Sequence, residues 1–361
     1  LSNCKYEAVH SASQRFGFRL VNELDEWNLL WSDSCVPLSK LMDMKKFQKV
    51  NHFPGMLEIC RKDLLARNLN RALKLFPKEY NFFPKTFYLP ADFSEFRTYT
   101  RHRKRSIFIL KPENNCQGSK GIRLARNTKV ETNGEHVLCQ HYISRPYLVD
   151  NLKFDLRIYV LVTCCDPLRI YVYNEGLARF ATVPYQQPNK NNIDNVFMHL
   201  TNYSINKRSK DFNTDEDSGN KRRLSTIYNI LEGEGKDVKK LISEIDDIII
   251  KTIISICSVL KRNHISLFLR HTISSACFEI LGFDILLDKD LKPFLLEVNH
   301  SPSFAMDTPL DREIKEGLIF DTLRMIDFNR IDKKKCLEEK RKYVTCRLTP
   351  AQKTFQLLLV L

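Results

Sequence analysis

Asp284, Glu297 and Asn299 carry side-chain oxygens of the kind that bind a hard cation, yet each interrupts an apolar run of strand length. Glu297 and Asn299 lie in Phe294-Leu295-Leu296-Glu297-Val298-Asn299-His300, and Asp284 lies in Gly282-Phe283-Asp284-Ile285-Leu286-Leu287. A strand turns alternate side chains to opposite faces, so Glu297 and Asn299 project together while Val298 turns away. The intervening Asp288-Lys289-Asp290-Leu291-Lys292-Pro293 has the polarity and the proline of a hairpin turn. Antiparallel pairing then brings Asp284 beside Glu297 and Asn299. Such a set suits Mg2+, which usually keeps waters and bridges to substrate phosphates. An edge strand whose acids face water explains the same residues, and the hairpin alone does not choose.

Other charges sit in equally apolar surroundings. In Lys153-Phe154-Asp155-Leu156-Arg157-Ile158-Tyr159-Val160-Leu161-Val162, strict alternation puts Lys153, Asp155 and Arg157 on one side. Three charges on a buried strand are costly unless they pair with one another or meet a ligand, and both outcomes stay open. Ser106 to Pro112 reads as a strand ending in Lys111, followed by the loop Glu113-Asn114-Asn115-Cys116-Gln117-Gly118-Ser119-Lys120-Gly121. Its glycines would let backbone N–H groups approach phosphate oxygens, although a plain turn needs glycines too. The loop is neither a Walker A box nor a dinucleotide-binding glycine motif. Val137 to Ile143 is a further strand. Ile170 to Tyr173 and Gly176 to Ala181 read as a hairpin with Arg179 near its end, and His199 to Asn206 reads as a loop or helix cap.

These residues need a framework. Asn28 to Trp31 reads as a strand, Asp43 to Lys49 as a helix, and Leu57 to Phe76 as a helical stripe ending before Pro77. Recurring prolines from Asn81 to Pro90 fit a connection between lobes, and the charged stretch Lys207 to Arg223 fits a mobile surface segment. Leu241 to Leu260 has a long helical pattern, Ala276 to Asn299 closes a sheet, and Asp311 to Phe328 is amphipathic and helical. Lys333 to Lys342 is strongly basic and suited to a helix; the last dozen residues turn apolar and suggest no function.

At 361 residues, with 43% hydrophobic and 28% charged residues, the chain is long and apolar enough for a substantial core in two or three lobes. Its net charge of +14 implies a polyanionic partner. There is no RNA-recognition signature, zinc-finger spacing or leucine-zipper array, which weakens the case for nucleic acid. The eleven cysteines are scattered without a Cys-x-x-Cys, and Leu1-Ser2-Asn3-Cys4 does not open a signal peptide, so reduced thiols in the cytoplasm are expected. No apolar stretch is long enough to span a bilayer.

Taken in order, strand-lysine, glycine loop, Gln-x-Tyr-Ile, Lys-Phe-Asp-Leu-Arg, His-Leu-Thr-Asn-Tyr-Ser, Phe-Asp and Leu-Glu-Val-Asn resemble the ATP-grasp ligases of the tubulin tyrosine ligase-like family, nearest its polyglutamylases. The resemblance runs from Lys5 to about Arg347. It implies an α/β (α+β) ATP-grasp fold: an N-terminal lobe (1–80), a central lobe (81–142), a C-terminal lobe with the metal site (143–328) and a basic extension with the apolar tail (329–361), with ATP between two antiparallel sheets. By motif, Lys111 and Lys153 would contact phosphates, Gln140, His141, Tyr142 and Ile143 would form the adenine hinge, and Asp155 would hold the ribose side. Phe154, Thr201, Asn202, Gln117 and Gly118 join the nucleotide set, and Asp284, Glu297 and Asn299 would bind Mg2+. Arg157, Glu297 and Lys111 would be the catalytic residues. Arg179, Tyr203, Ser204 and Lys221 resemble the family's amino-acid pocket, whose two cations suit a second carboxylate. Cys116 and His300 flank the site and would orient the acceptor.

The reaction implied is ligation of free L-glutamate to glutamate side chains of tubulin tails through an acyl phosphate, elongating chains with a preference for alpha-tubulin. A monomer acting on microtubules in the cytoplasm, cytoskeleton and cilium or basal body is expected, with no nucleic acid partner and no membrane span. The Lys333 to Lys342 run would dock on the acidic microtubule surface. Two departures stand out: Cys-Gln-Gly-Ser-Lys-Gly is one residue longer between glycines than the family's Gly-x-Gly, and the apolar end is unlike the family's extension, as in a truncated or spliced form. Rival readings are a glycylase or tyrosine ligase, a non-catalytic microtubule-binding relative, and a basic nucleic-acid binder.

Overall fold

The computed structural model describes residues 2–22, 25–103, 106–112, 121–127, 130, 136–215, 218–268, 276–326, 328 and 338. The chain begins with β1 (Ser2–Asn3), α1 (Glu7–Arg15), β2 (Leu29–Ser32), α2 (Leu38–Met42), β3 (Lys49–Val50), α3 (Leu57–Cys60) and α4 (Lys62–Leu75). Next come β4 (Thr86–Leu89), α5 (Phe93–Thr100), β5 (Ile107–Pro112), β6 (Arg123–Arg126) and β7 (Val137–His141). Then follow β8 (Leu148–Val149), β9 (Leu152–Cys165), β10 (Leu168–Phe180), α6 (Val196–His199), α7 (Tyr203–Asn206) and β11 (Lys221–Arg223). The last elements are α8 (Leu224–Gly233), α9 (Val238–Ile254), α10 (Cys257–Leu267), β12 (Glu279–Leu287), β13 (Pro293–His300) and α11 (Pro309–Met325).

Two antiparallel sheets position the site. The smaller has strand order β4-β7-β5-β6; the larger runs β11-β10-β9-β12-β13, with β8 also paired to β9. This is the mixed α/β, ATP-grasp-like fold that the motif order implies. Alternation along β9 explains why charges survive inside the larger sheet. Phe154, Leu156, Ile158, Val160 and Val162 enter one core with Ile227, Ile245 and Leu260 of the covering helices. Tyr159 and Leu161 enter a second core with Val9 and Ala12 of α1 and Ile314 and Leu318 of α11. Lys153, Asp155 and Arg157 share the face of Tyr159 and Leu161 but lie nearer the start of the strand, as its period of two requires. Burying each large aliphatic side chain contributes roughly 1.5–3 kcal/mol, which offsets the local cost of these ions.

The β12–β13 hairpin forms as the pattern predicts: Asp284 pairs with Glu297, and Leu287 with Pro293. Asp288 Oδ1 accepts the N–H groups of Asp290 and Lys292, both at 2.9 Å, and this holds the turn. Other expectations fail for local reasons. Asp43 to Lys49 is not helical; α2 starts after Pro37 and ends at Met42, and the Lys45 N–H bonds Gln48 Oε1 at 2.8 Å in a turn that buries Met44 and Phe47. The stripe from Leu57 breaks at Arg61, whose backbone is extended, with its guanidinium forked onto Asp63 at 3.1 and 2.8 Å. The helix from Leu241 to Leu260 is likewise interrupted between α9 and α10. The proline-rich connection includes β4, whose Thr86 pairs with Gln140. Ile170 to Ala181 is not a hairpin, because β10 runs through it with a register shift between Val172 and Gly176, and its hairpin partner is β9. Lys207 to Arg223 ends in the buried strand β11 instead of staying on the surface.

Among the described residues Cys4, Cys35, Cys60, Cys139, Cys164, Cys165, Cys257 and Cys277 are free thiols. No helix among them is long and apolar enough to cross a membrane. The basic run from Lys333, apart from Glu338, and the apolar tail lie outside the described residues.

Candidate active site

Side chains from both sheets line one pocket: Lys111, Gln140, His141, Tyr142 and Ile143 from the smaller sheet and its exit, Lys153, Asp155, Arg179, Asp284 and Glu297 from the larger, with Thr201 and Asn202 between α6 and α7. A cavity of about 70 Å³ remains among them.

The two lysines differ from the two arginines. Lys111 Nζ donates to Gln140 Oε1 at 2.9 Å, and Lys153 Nζ donates to the Tyr142 hydroxyl at 3.0 Å and to His199 O at 2.7 Å. Gln140 is itself held by Thr86, to whose Oγ1 it donates at 2.9 Å. These acceptors are neutral, so an anion replacing them breaks no ion pair. Burial lowers Lys111 to about 8 and Lys153 to about 7. Burial also lowers His199 to about 4, so its ring is neutral at physiological pH.

The arginines already hold carboxylates. Arg157 donates to both oxygens of Asp284, at 2.5 and 3.0 Å, and Arg179 bridges Asp155 Oδ1 at 2.6 Å and Asp284 Oδ2 at 2.9 Å. The Thr201 hydroxyl donates to the other oxygen of Asp155. Burial pushes the Asp284 carboxyl up, but the two guanidiniums more than offset it and hold it well below the usual range. For Asp155 burial prevails over Arg179, and its pKa is raised. The β9 charges therefore divide: Asp155 and Arg157 are held in ion pairs and Lys153 by neutral acceptors, and Lys153 and Asp155 line the pocket while Arg157 does not.

Asn299 Nδ2 donates to Asp284 Oδ2 at 3.2 Å and to Glu297 Oε1 at 3.5 Å, so the three side chains converge, and the amide would turn its oxygen inward to meet a cation. Glu297 is the least committed of them, with Lys62 Nζ at 3.8 Å. Two carboxylates and an amide fit a hard cation such as Mg2+. Gly282 leaves room for Arg157 beside it, since an added Cβ there would lie 3.1 Å from Arg157 Cδ and from Pro302 Cβ. We predict that Gly282→Ala displaces Arg157 and costs about 1–3 kcal/mol, measurable as a lower urea midpoint with an unchanged slope.

Arg179 and Lys221 are cross-strand partners on β10 and β11. Lys221 Nζ lies 2.5 Å from Asp311 Oδ2 and 3.8 Å from the Tyr203 ring centroid, and Lys315 shares Asp311 at 2.7 Å. Ser204, next along α7, is exposed. Of these residues Arg179 lines the pocket, whereas Lys221, Tyr203 and Ser204 flank it. The Phe154 ring faces the opposite core, stacked on Phe180 at 5.2 Å, and so only its backbone is near the pocket. His300 stacks on His52 at 4.6 Å, outside the pocket lining. Cys116, Gln117 and Gly118 lie outside the described residues. Sequence reasoning missed Thr86, Lys62, Gly282, Asp311 and Lys315. A glycine within an apolar strand and an Asp–Lys pair four apart on a helix were the available signals for three of these.

The profile of the tubulin-tyrosine ligase family matches residues 40–335. The chain is 57% identical over 341 residues to human "Tubulin polyglutamylase TTLL6", which covers 94% of this chain and 38% of that protein. It is 54% identical over 352 residues to mouse "Tubulin polyglutamylase TTLL13" (97% and 44%), and 41% identical over 353 residues to Xenopus tropicalis "Tubulin polyglutamylase TTLL7" (95% and 39%). The chain therefore spans less than half the length of these relatives.

Proposed function

The chain belongs to the tubulin-tyrosine ligase family, and on that premise we propose that it is an ATP-dependent ligase joining free glutamate to glutamate side chains of tubulin tails. The observation that carries this is the single pocket in which Lys111, Lys153, Arg179, Asp284 and Glu297 meet. Names of three similar proteins as tubulin polyglutamylases support the choice of substrate. Cytoskeletal and ciliary location, chain elongation and a preference for alpha-tubulin belong to the same proposal.

Carboxylate oxygen is a poor leaving group, and phosphorylation corrects that. The acceptor carboxylate attacks the gamma phosphorus of ATP, and the bond to ADP breaks. The neutral amine of glutamate then attacks the acyl carbon, phosphate leaves with the C–O bond electrons, and the ammonium proton passes to solvent. Lys111 and Lys153 exchange their neutral acceptors for phosphate oxygens, and the backbone from Gln140 to Ile143 offers the adenine a donor and an acceptor. Asp284, Glu297 and Asn299 would hold Mg2+, which supplies charge to offset that of the transferring phosphoryl group. Arg157 lies beside them to share that task, and Arg179 with Lys221 suits an amino acid bearing a second carboxylate.

Lys111 and Lys153, whose acceptors are neutral, make nucleotide binding pH-dependent. Well below pH 7 both are charged with or without phosphates, and no proton moves. Between their depressed values of about 7 and about 8 and the ordinary lysine range near ~10.4, phosphates restore the charged form, so binding takes up protons and affinity falls as pH rises. Calorimetry of ATP binding near pH ~8.5, in buffers of different ionisation enthalpy, should register net uptake of about one proton or more. Zero uptake would show that the phosphates do not reach these lysines.

Mass spectrometry of tubulin tails after incubation with the chain, ATP, Mg2+ and labelled glutamate tests the function itself. Mass increments of glutamate on tails already carrying one branch residue support elongation. Preferential incorporation of glycine or tyrosine in a mixed amino-acid competition would refute the assignment.

A further inference from the structure

Away from the nucleotide pocket, metal-binding side chains meet where the N-terminal segment crosses the large sheet. A parallel bridge joins Val50 to Cys277, with the Val50 N–H on Ala276 O at 2.9 Å and the Phe278 N–H on Val50 O at 3.0 Å. Two residues beyond each bridge partner stand His52 and Glu279, and His52 Nδ1 lies 3.1 Å from Glu279 Oε1. Leu281 on β12 pairs with His300 on β13, which brings the second imidazole over the first with ring centroids 4.6 Å apart. One ligand atom from each of His52, Glu279 and His300 lies within 4.8 Å of the others. Cys35 Sγ lies 3.4 Å from His300 Nε2 and adds a thiol.

The supporting contacts aim these groups inward. His52 Nε2 lies 2.8 Å from the Ser32 carbonyl oxygen, so it carries the proton and donates it. Glu279 Oε2 accepts the Phe53 N–H at 2.8 Å, which leaves Oε1 directed at His52 Nδ1. Nδ1 is ion-paired with the Glu279 carboxylate, so a metal would take the place of the Nδ1 proton while the Nε2–H on the backbone carbonyl fixes the ring, as in a metal-bound histidine. Separations of 3.1 and 3.4 Å lie a few tenths of an ångström inside the ligand spacing of about 3.3–3.8 Å that bonds of about 2.0–2.3 Å set in a tetrahedral site, so small shifts would admit an ion. His52 and Glu279 are buried, His300 is half-buried and Cys35 is exposed, so an ion has a way in from the Cys35 side. The rings stack at an interplanar angle of 22°, and so completing the set takes a rotation of the His300 ring.

We propose that Cys35, His52, Glu279 and His300 form a binding site for a divalent cation of the zinc class, separate from the Asp284, Glu297 and Asn299 oxygens. Two imidazoles and a thiolate favour a borderline cation over Mg2+. Thiolate and carboxylate together neutralise its charge, with the thiol proton and any proton on His52 Nδ1 released to solvent. Binding would staple the loop after β2 to the ends of β12 and β13.

The test is a Co2+ titration of the whole chain, stripped with a chelator, alongside Zn2+ calorimetry. One equivalent of Co2+ should produce thiolate-to-cobalt charge transfer and the intense visible bands of four-coordination, undisturbed by millimolar Mg2+ and displaced by Zn2+. Cys35→Ser should remove the charge-transfer band, and both Cys35→Ser and His300→Gln should weaken Zn2+ binding by at least about tenfold, with the circular dichroism of both variants unchanged. Absence of the charge-transfer band in the parent chain overturns the proposal. Its survival in Cys35→Ser does so too, by placing the metal on another thiol.

Discussion

Glutamate incorporation should collapse in Glu297→Gln while the fold stays intact. The substitution keeps shape and removes one charged oxygen from the converging set of Asp284, Glu297 and Asn299. Partners that only support a metal ligand already cost about 10–100-fold when removed, so loss of a ligand itself should exceed that in turnover. Stability should change by no more than about 0.5 kcal/mol, because the Glu297 side chain is 21% exposed and its ion pair with Lys62 is long at 3.8 Å. The paired measurement is turnover with labelled glutamate and the urea midpoint. Incorporation persisting near the parent rate would remove Glu297 from the mechanism, and a large drop in midpoint would make it a structural residue.

Arg179→Met should be costly in the opposite sense, through stability as well as activity. Arg179 holds Asp155 at 2.6 Å and Asp284 at 2.9 Å inside the sheet, and Asp155 has besides it the Thr201 hydroxyl. Removing one partner of a buried pair costs about 3–5 kcal/mol, because the remaining charge stays without compensation. Adding Asp155→Asn should recover part of that loss, with a coupling of about 0.5–3 kcal/mol in a double-mutant cycle. The pH dependence has a definite sign. Burial already raises Asp155, and loss of Arg179 raises it further. The folded variant then holds a proton that the unfolded chain, with an aspartate near ~3.9, releases. Stability therefore falls as pH rises from about 3.9 through the raised value, and levels off above it. Urea midpoints at ~pH 5 and ~pH 8 should separate more for the variant than for the parent. Equal separations would mean that Asp155 does not depend on Arg179.

Much of the architecture was legible because it rests on short-range rules. The β12–β13 register follows from an alternating pattern and an Asp–Pro-bounded turn, and the shared face of Lys153, Asp155 and Arg157 follows from the strand period. Helix boundaries near Asp43, Arg61 and Ser255 were not legible, because Arg61 turns extended, Ile256 leaves helical geometry, and the chain after Asp43 turns to bury Met44 and Phe47. Lys221 was misread as surface for a similar reason. A charged stretch looks solvated until β11 pairs with β10 and Asp311 neutralises the lysine.

The sequence by itself determined which side chains bear the chemistry and which of them share a strand face, since both depend on residue type and a fixed period. Only the tertiary structure decided that Asp284 is held by two arginines from two other strands, that Lys111 and Lys153 face neutral acceptors, and that His52 meets Glu279 across 227 residues. Charge state, access and partnership arise from packing between distant segments, and spacing along a chain carries no record of which distant segments will touch.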